Sequence, residues 1–384
     1  MRIIYIYVVG IILLLSCTTK KNQNTITINL DEGKELGYSS IIENIEYVIL
    51  ESDGNRFPIN VEKIVKKHNK YYISTQDHTV FIYNLDGSFS SVIDAPGDGP
   101  GSIRSLDDFN ITDDQIIIKD GYLKKILFFD LNGNYLNEKK DLFPTSYIYY
   151  SSNYRLYYPH NDPTDGQNSI YRISKEGKVE GFLQNAHELG TRVYLTNSFN
   201  EIASTQEIFL GLPITSEIAY FDKNGYPTKT FKINFGKNEM PMHSRLKFEN
   251  RIDEFMYIDE NNLIDAFSKL FPLSKNTFMM VVTSGMNSPN IIICSRLGEV
   301  LFNSSNFYND YEGLENNTIP WTYTGDELIS WNTINVLHDS YLNKKPGILE
   351  VENSTLGKFL EDHSEAVDGE DIVLITSKIK KEYL

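Results

Sequence analysis

A chain of 384 residues with a formal charge of −16 is a poor partner for a nucleic-acid backbone, which selects clustered Lys and Arg. At 41% hydrophobic it can bury a large core, as one big repeat domain or two ordinary ones. Its 25 Tyr and 21 Phe favour strands over helices.

In chain order, residues 1–16 stand apart. Arg2 is their only charge, and residues 3–15 are almost all apolar. A run of about 13 is shorter than the roughly 20 residues a spanning helix needs. A basic start, a short apolar stretch and small residues before a break predict a secretory signal. The LLSC at 14–17 resembles the bacterial lipobox. That resemblance implies cleavage before Cys17 and a lipid on Cys17, so that the membrane is a partner through the N-terminus. The other reading is a plain signal peptide with a chance Cys. Residues 17–40 are expected to be a lipidated tether, polar over 18–25. The second cysteine, Cys294, sits in an apolar IIICS run and reads as a buried strand thiol.

From 41 to the end the chain repeats. The segment 80–93 (VFIYNLDGSFSSVI) and the segment 126–139 (ILFFDLNGNYLNEK) share one plan. An aromatic and β-branched run meets Asp-Gly or Asn-Gly, and a second run follows. That is a β-hairpin, because these dipeptides supply the positive-φ positions of a tight turn. The turn glycines are Gly87, Gly133, Gly177, Gly225 and Gly298, spaced by 46, 44, 48 and 73. A period in the mid-forties built of short strands is that of a four-stranded propeller blade. Further strands are predicted at 61–65, 71–74, 108–111, 115–119 and 278–283. A sixth region, 321–331, with 334–337 beyond, lacks a clear outer strand. The run 45–50 (IEYVIL) is the candidate to complete it and close the ring. A last strand at 371–379 has no evident place.

The long fourth spacing locates an insertion near 240–270. Residues 248, 252, 255 and 256 are apolar at helical spacing, and 261–270 is expected to form a second short helix. The apolar side chains of Leu246, Phe248, Ile252, Phe255 and Met256 are expected to pack on one propeller face near the channel mouth.

These pieces resemble the six-bladed β-propeller lipoproteins of Bacteroidetes, relatives in shape of NHL-repeat propellers. The matching residues are LLSC at 14–17, IEYVILE at 45–51, the hairpin 81–89 and the loop APGDGPG at 95–101. The resemblance covers roughly 40–340. It implies an outer-membrane lipoprotein of the cell envelope, on its periplasmic or surface side, often linked with glycan uptake. In this chain Ser102 replaces the acidic residue that usually follows the loop.

Site chemistry is sparse. The loop 97–101 lacks the Lys and Ser or Thr of a phosphate loop. It reads as a crossover between blades, on a face where propellers commonly hold ligands, which makes Asp98 and Arg104 the candidate binding residues. The seven His show no HExxH spacing, and no metal or cofactor is assigned. His160, Asp162 and Asp165 lie in a large loop that reads as turns. Trp321, Tyr323 and Trp331 read as blade core ahead of a sugar platform. The expected fold is all-β: a six-bladed propeller with four-stranded blades and a small helical insertion. The expected function is a non-catalytic envelope binder or scaffold for a protein or glycan. The alternative is a metal-assisted hydrolase or lyase acting on a sugar or lactone.

Overall fold

The computed structural model describes residues 25–54, 56–143, 147–159, 168–184, 199–202, 204–212, 215–284, 289–314, 319–325, 327–344 and 355–384. Cys17, the signal segment and the loop of His160, Asp162 and Asp165 lie outside these residues.

The second strand of the second blade shows why the fold forms. Gln115–Asp120 places three isoleucines in succession, all fully buried. Side chains alternate between the two faces of a strand. Ile116 and Ile118 therefore join a cluster with Tyr72, Val80 and Ile82 of the first blade. Ile117 joins Ile148, Tyr157 and Tyr171 of the third. A strand buried on both faces reads as a continuous apolar run, and it must lie between two neighbours. Repeating this around the ring gives six sheets and an apolar cluster between each adjacent pair.

Blade one is Val61–Lys67, Lys70–Thr75, Val80–Asn84 and Phe89–Ile93, paired in sequence order. Blade two is Asp108–Ile111, Gln115–Asp120, Lys125–Asp130 and Tyr135–Lys140. The innermost strands of blades three to six are Tyr147–Tyr150, Asn200–Ile202, Ala266–Pro272 and Thr322–Thr324. All five turn glycines have positive φ, from 78° to 94°. At Gly87 the demand is double. Its φ is 85°, and a Cβ there would stand 2.0 Å from the Ile49 carbonyl oxygen.

Closure follows the expected route. Blade six runs Thr322–Thr324, Glu327–Thr333, Ile372–Ile379 and finally Ile42–Ile49 from the N-terminal end. The strand that had no evident place is thus the third of this blade. It pairs antiparallel with the closing strand from Val373 opposite Ile49 to Ile379 opposite Ile42.

Three expectations are corrected. Residues 25–40 are not free tether. Thr25–Thr27 lies parallel beside the outer strand of blade four, and Lys34–Gly37 beside that of blade five. Ile26 and Ile28 are 1% exposed, so this stretch is held by the same apolar burial as the blades. Residues 334–337 open a helix, Ile334–Leu342, instead of extending a strand. Ile334 and Leu337, one turn apart, bury the same helix face.

The third correction concerns the insertion. Its helices are Met242–Arg245 and Arg251–Glu260, the latter capped by the Asn250 side chain. Beyond it, Ala266–Pro272 is the inner strand of blade five, where a second helix was expected. Pairing with Thr277–Thr283 along its length outweighs the helical spacing of a few apolar residues. Nor is the apolar helix face covered: Ile252 is 74%, Met256 45% and Leu246 43% exposed. What the insertion buries is Ile258 and, beside it, charge. Arg245 is enclosed with Glu254 and also reaches Asp265 at 3.3 Å.

Glu239 and Ile264 form a parallel bridge at the base of the insertion, so the chain leaves and returns at one point. Replacing 241–262 by a short Gly-Ser linker is expected to leave a β-rich fold with a modest loss of melting temperature. Circular dichroism and a thermal melt check this; an unfolded product would make the insertion part of the ring.

Candidate functional site

Connectivity assigns the loops to two faces. In each blade the first-to-second and third-to-fourth strand turns lie on one face. The second-to-third turns and the crossovers between blades lie on the other. The turn face carries a cavity of about 820 Å³. It is bordered by the inner strands and first turns of blades one, two, three, four and six.

Its charged walls hold the blades together. Lys63 Nζ of blade one lies 2.7 Å from Asp108 Oδ1 of blade two and donates to the Phe109 carbonyl at 2.6 Å. Asp108 also accepts from the Ile148 amide of blade three at 2.9 Å. Burial pushes the Asp108 carboxyl up from its ordinary pKa, and the Lys63 ammonium opposes the shift. Lys66 reaches Glu327 of blade six at 2.5 Å. Lys67 lies 3.4 Å from Asp113. The Tyr149 hydroxyl of blade three donates to Glu201 of blade four at 2.8 Å. Burial, then the Glu201 charge, holds that phenol well above its usual range.

Between these pairs stand neutral groups. Asn110, Gln115 and Gln206 border the cavity. Tyr149, Tyr150, Phe199 and Tyr323 add ring surface. Tyr323 is oriented by its hydroxyl, which donates to the Leu273 carbonyl at 2.7 Å. On the inner strand of blade five, Lys269 Nζ stands 3.9 Å from the centre of the Trp321 ring, and burial pushes its amine down to about 8. Trp321 packs edge-on against Trp331, and its indole N–H donates to the Glu62 carbonyl at 3.0 Å. Both tryptophans therefore serve the interface between blades six and one.

Asp98 and Arg104 are brought near each other but not to this cavity. They lie on the crossover face, where Pro96 and Ile103 bridge the base of their loop. Arg104 Nη1 is 4.0 Å from Asp98 Oδ1, with both side chains more than half exposed. The Arg104 guanidinium lies over the Tyr122 ring. The insertion is also a crossover and shares this face. Asn238 and Asn262, with residues of blade five, border a shallower depression there of about 460 Å³.

Cys294 is buried, and burial pushes its thiol up to about 12. Among the described residues, no group of three or more His, Cys, Asp or Glu is placed to hold a metal ion.

The fold and cavity define a class: a six-bladed β-propeller with a polar axial cavity on its turn face. The chain belongs to the family described as "Domain of unknown function (DUF4934)", whose profile matches residues 23–361. It is similar to a solved structure described as an exported protein of Bacteroides fragilis. The two are 16% identical, the match covers 93% of this chain and 100% of that one, and the TM-score is 0.72. It is also similar to a member of the DUF4221 family from Bacteroides vulgatus, at 8% identity, 88% and 97% coverage and a TM-score of 0.52. At these identities the likeness is one of fold. No curated protein matches the sequence.

Proposed function

We propose that the protein is an exported, non-catalytic binding or scaffold propeller, held at the outer membrane by a lipid on Cys17. The observation that carries the binding reading is the axial cavity, where polar and aromatic side chains from five blades converge. A ring of rigid sheets holds such groups in fixed relation, which favours recognition of one partner. The partner is an envelope protein or a glycan. The LLSC at 14–17, the apolar run before it and the likeness to an exported propeller support the envelope location.

Two measurements test this. Cys17→Ala is expected to move the protein from the membrane fraction to the soluble one, because the proposed lipid is then not attached. A mutant that stays in membranes sinks the anchor. A photo-crosslinking residue at Ser152, on the cavity wall, is expected to capture an envelope component that the same residue at the exposed Lys178 does not. Equal capture at both positions would remove the cavity as the site.

A further inference from the structure

Resting on the reading of the axial cavity as the ligand site, we infer that the cavity takes an uncharged polyhydroxylated ligand, a neutral oligosaccharide. Charge decides between ligand classes. Lys63, Lys66 and Lys67 are each already engaged by a carboxylate. A phosphate or carboxylate ligand would have to break one of these pairs and leave an acid uncompensated. The chain as a whole, at −16, also repels anions. Of the acids on the walls, Glu327 and Asp113 are paired with lysines, Glu201 accepts the Tyr149 hydroxyl and Asp114 accepts the Thr112 hydroxyl at 3.1 Å.

Neutral amides also stand on these walls, with no side-chain partner of their own among the described residues. The side-chain amides of Asn110, Gln115 and Gln206 border the cavity, and none bonds to another described residue. An amide offers a donor pair and an acceptor side by side, which matches the adjacent hydroxyls of a sugar ring. Tyr150 and Tyr323 supply apolar ring faces for the C–H face of such a ring. A lipid chain in the same place would strip water from these amides without replacing its hydrogen bonds, a cost of roughly 1–3 kcal/mol for each group. The volume, about 820 Å³, lies within the roughly 300–1,000 Å³ of small-ligand pockets and excludes a folded protein.

The test titrates the full-length protein in detergent micelles with neutral hexose and pentose oligosaccharides and, in parallel, with uronic-acid oligosaccharides. Each is run at low and at high salt. Saturable binding of at least one neutral oligosaccharide is expected, with an affinity that salt does not move, because no ion pair forms. Asn110→Ala and Gln115→Ala should each weaken that binding about tenfold, the worth of one hydrogen bond, with the melting temperature unchanged. Binding of acidic oligosaccharides alone, weakening with salt, would overturn the inference. So would neutral binding that survives both substitutions, or that is lost instead when 241–262 is replaced, since the site would then lie over blade five. A protein or peptide captured from Ser152 with no saccharide response overturns the inference and leaves the binding propeller standing. No capture and no saccharide response overturns both.

Discussion

A chain that begins at Glu51 is expected to aggregate without reaching a folded state, whereas one that begins at Asn22 is expected to fold. The shorter chain lacks the outer strand of blade six. Ile372–Ile379 would then present an unpaired edge of buried residues, a template for pairing with other chains. The truncation also deletes Ile26, Ile28, Ile41, Ile42 and Ile45, none more than 5% exposed. At about 2–5 kcal/mol for each large buried aliphatic side chain, their loss matches or exceeds a whole domain's stability of about 5–15 kcal/mol. A chain beginning at Ile41 separates the causes. It keeps the closing strand and loses only the strands laid on blades four and five. It should fold with a lower melting temperature. Equal solubility and melting temperature of the Glu51 and Asn22 chains would show that the ring closes some other way.

The second large effect is expected at Lys119. Its ammonium lies 2.9 Å from Asp141 Oδ2, and both side chains are fully buried between blades two and three. It also donates to the Phe143 carbonyl at 2.6 Å, while the Tyr157 hydroxyl donates to Asp141 Oδ1 at 2.7 Å. Lys119→Met leaves a buried carboxylate without its counter-charge, which costs about 3–5 kcal/mol. Pairing it with Asp141→Leu should recover most of that loss, because the uncompensated charge goes too. Denaturant midpoints of the single and double variants measure both effects. A deficit under 1 kcal/mol, on the order of a surface pair, would mean that water reaches the site.

Much of the ring was legible because each blade repeats the same local chemistry. Asp-Gly and Asn-Gly mark the third turn of blades one and two, and the apolar runs before them mark strands buried on both faces. The closing strand could be found because 45–50 is apolar and the sixth blade was one strand short. The cavity was not legible. Lys63, Asn110, Tyr149, Glu201 and Thr322 come from five repeats and share no motif. The available signal was positional, since each lies on or next to a blade's first strand or first turn. The Gly-rich loop of Asp98 and Arg104 is the more conspicuous stretch, and connectivity sends it to the opposite face.

Local sequence determined the hairpin strands, their turns and the period, because pairing within a hairpin joins residues near one another in the chain. Tertiary structure alone decided the rest. Residues 25–37 became outer strands because blades four and five offered edges and buried sites for Ile26 and Ile28. Residues 266–272 became a strand because 277–283 lay beside them. The lysines of blade one became neutral walls because carboxylates of blades two and six stood within reach, and no stretch of sequence records that meeting.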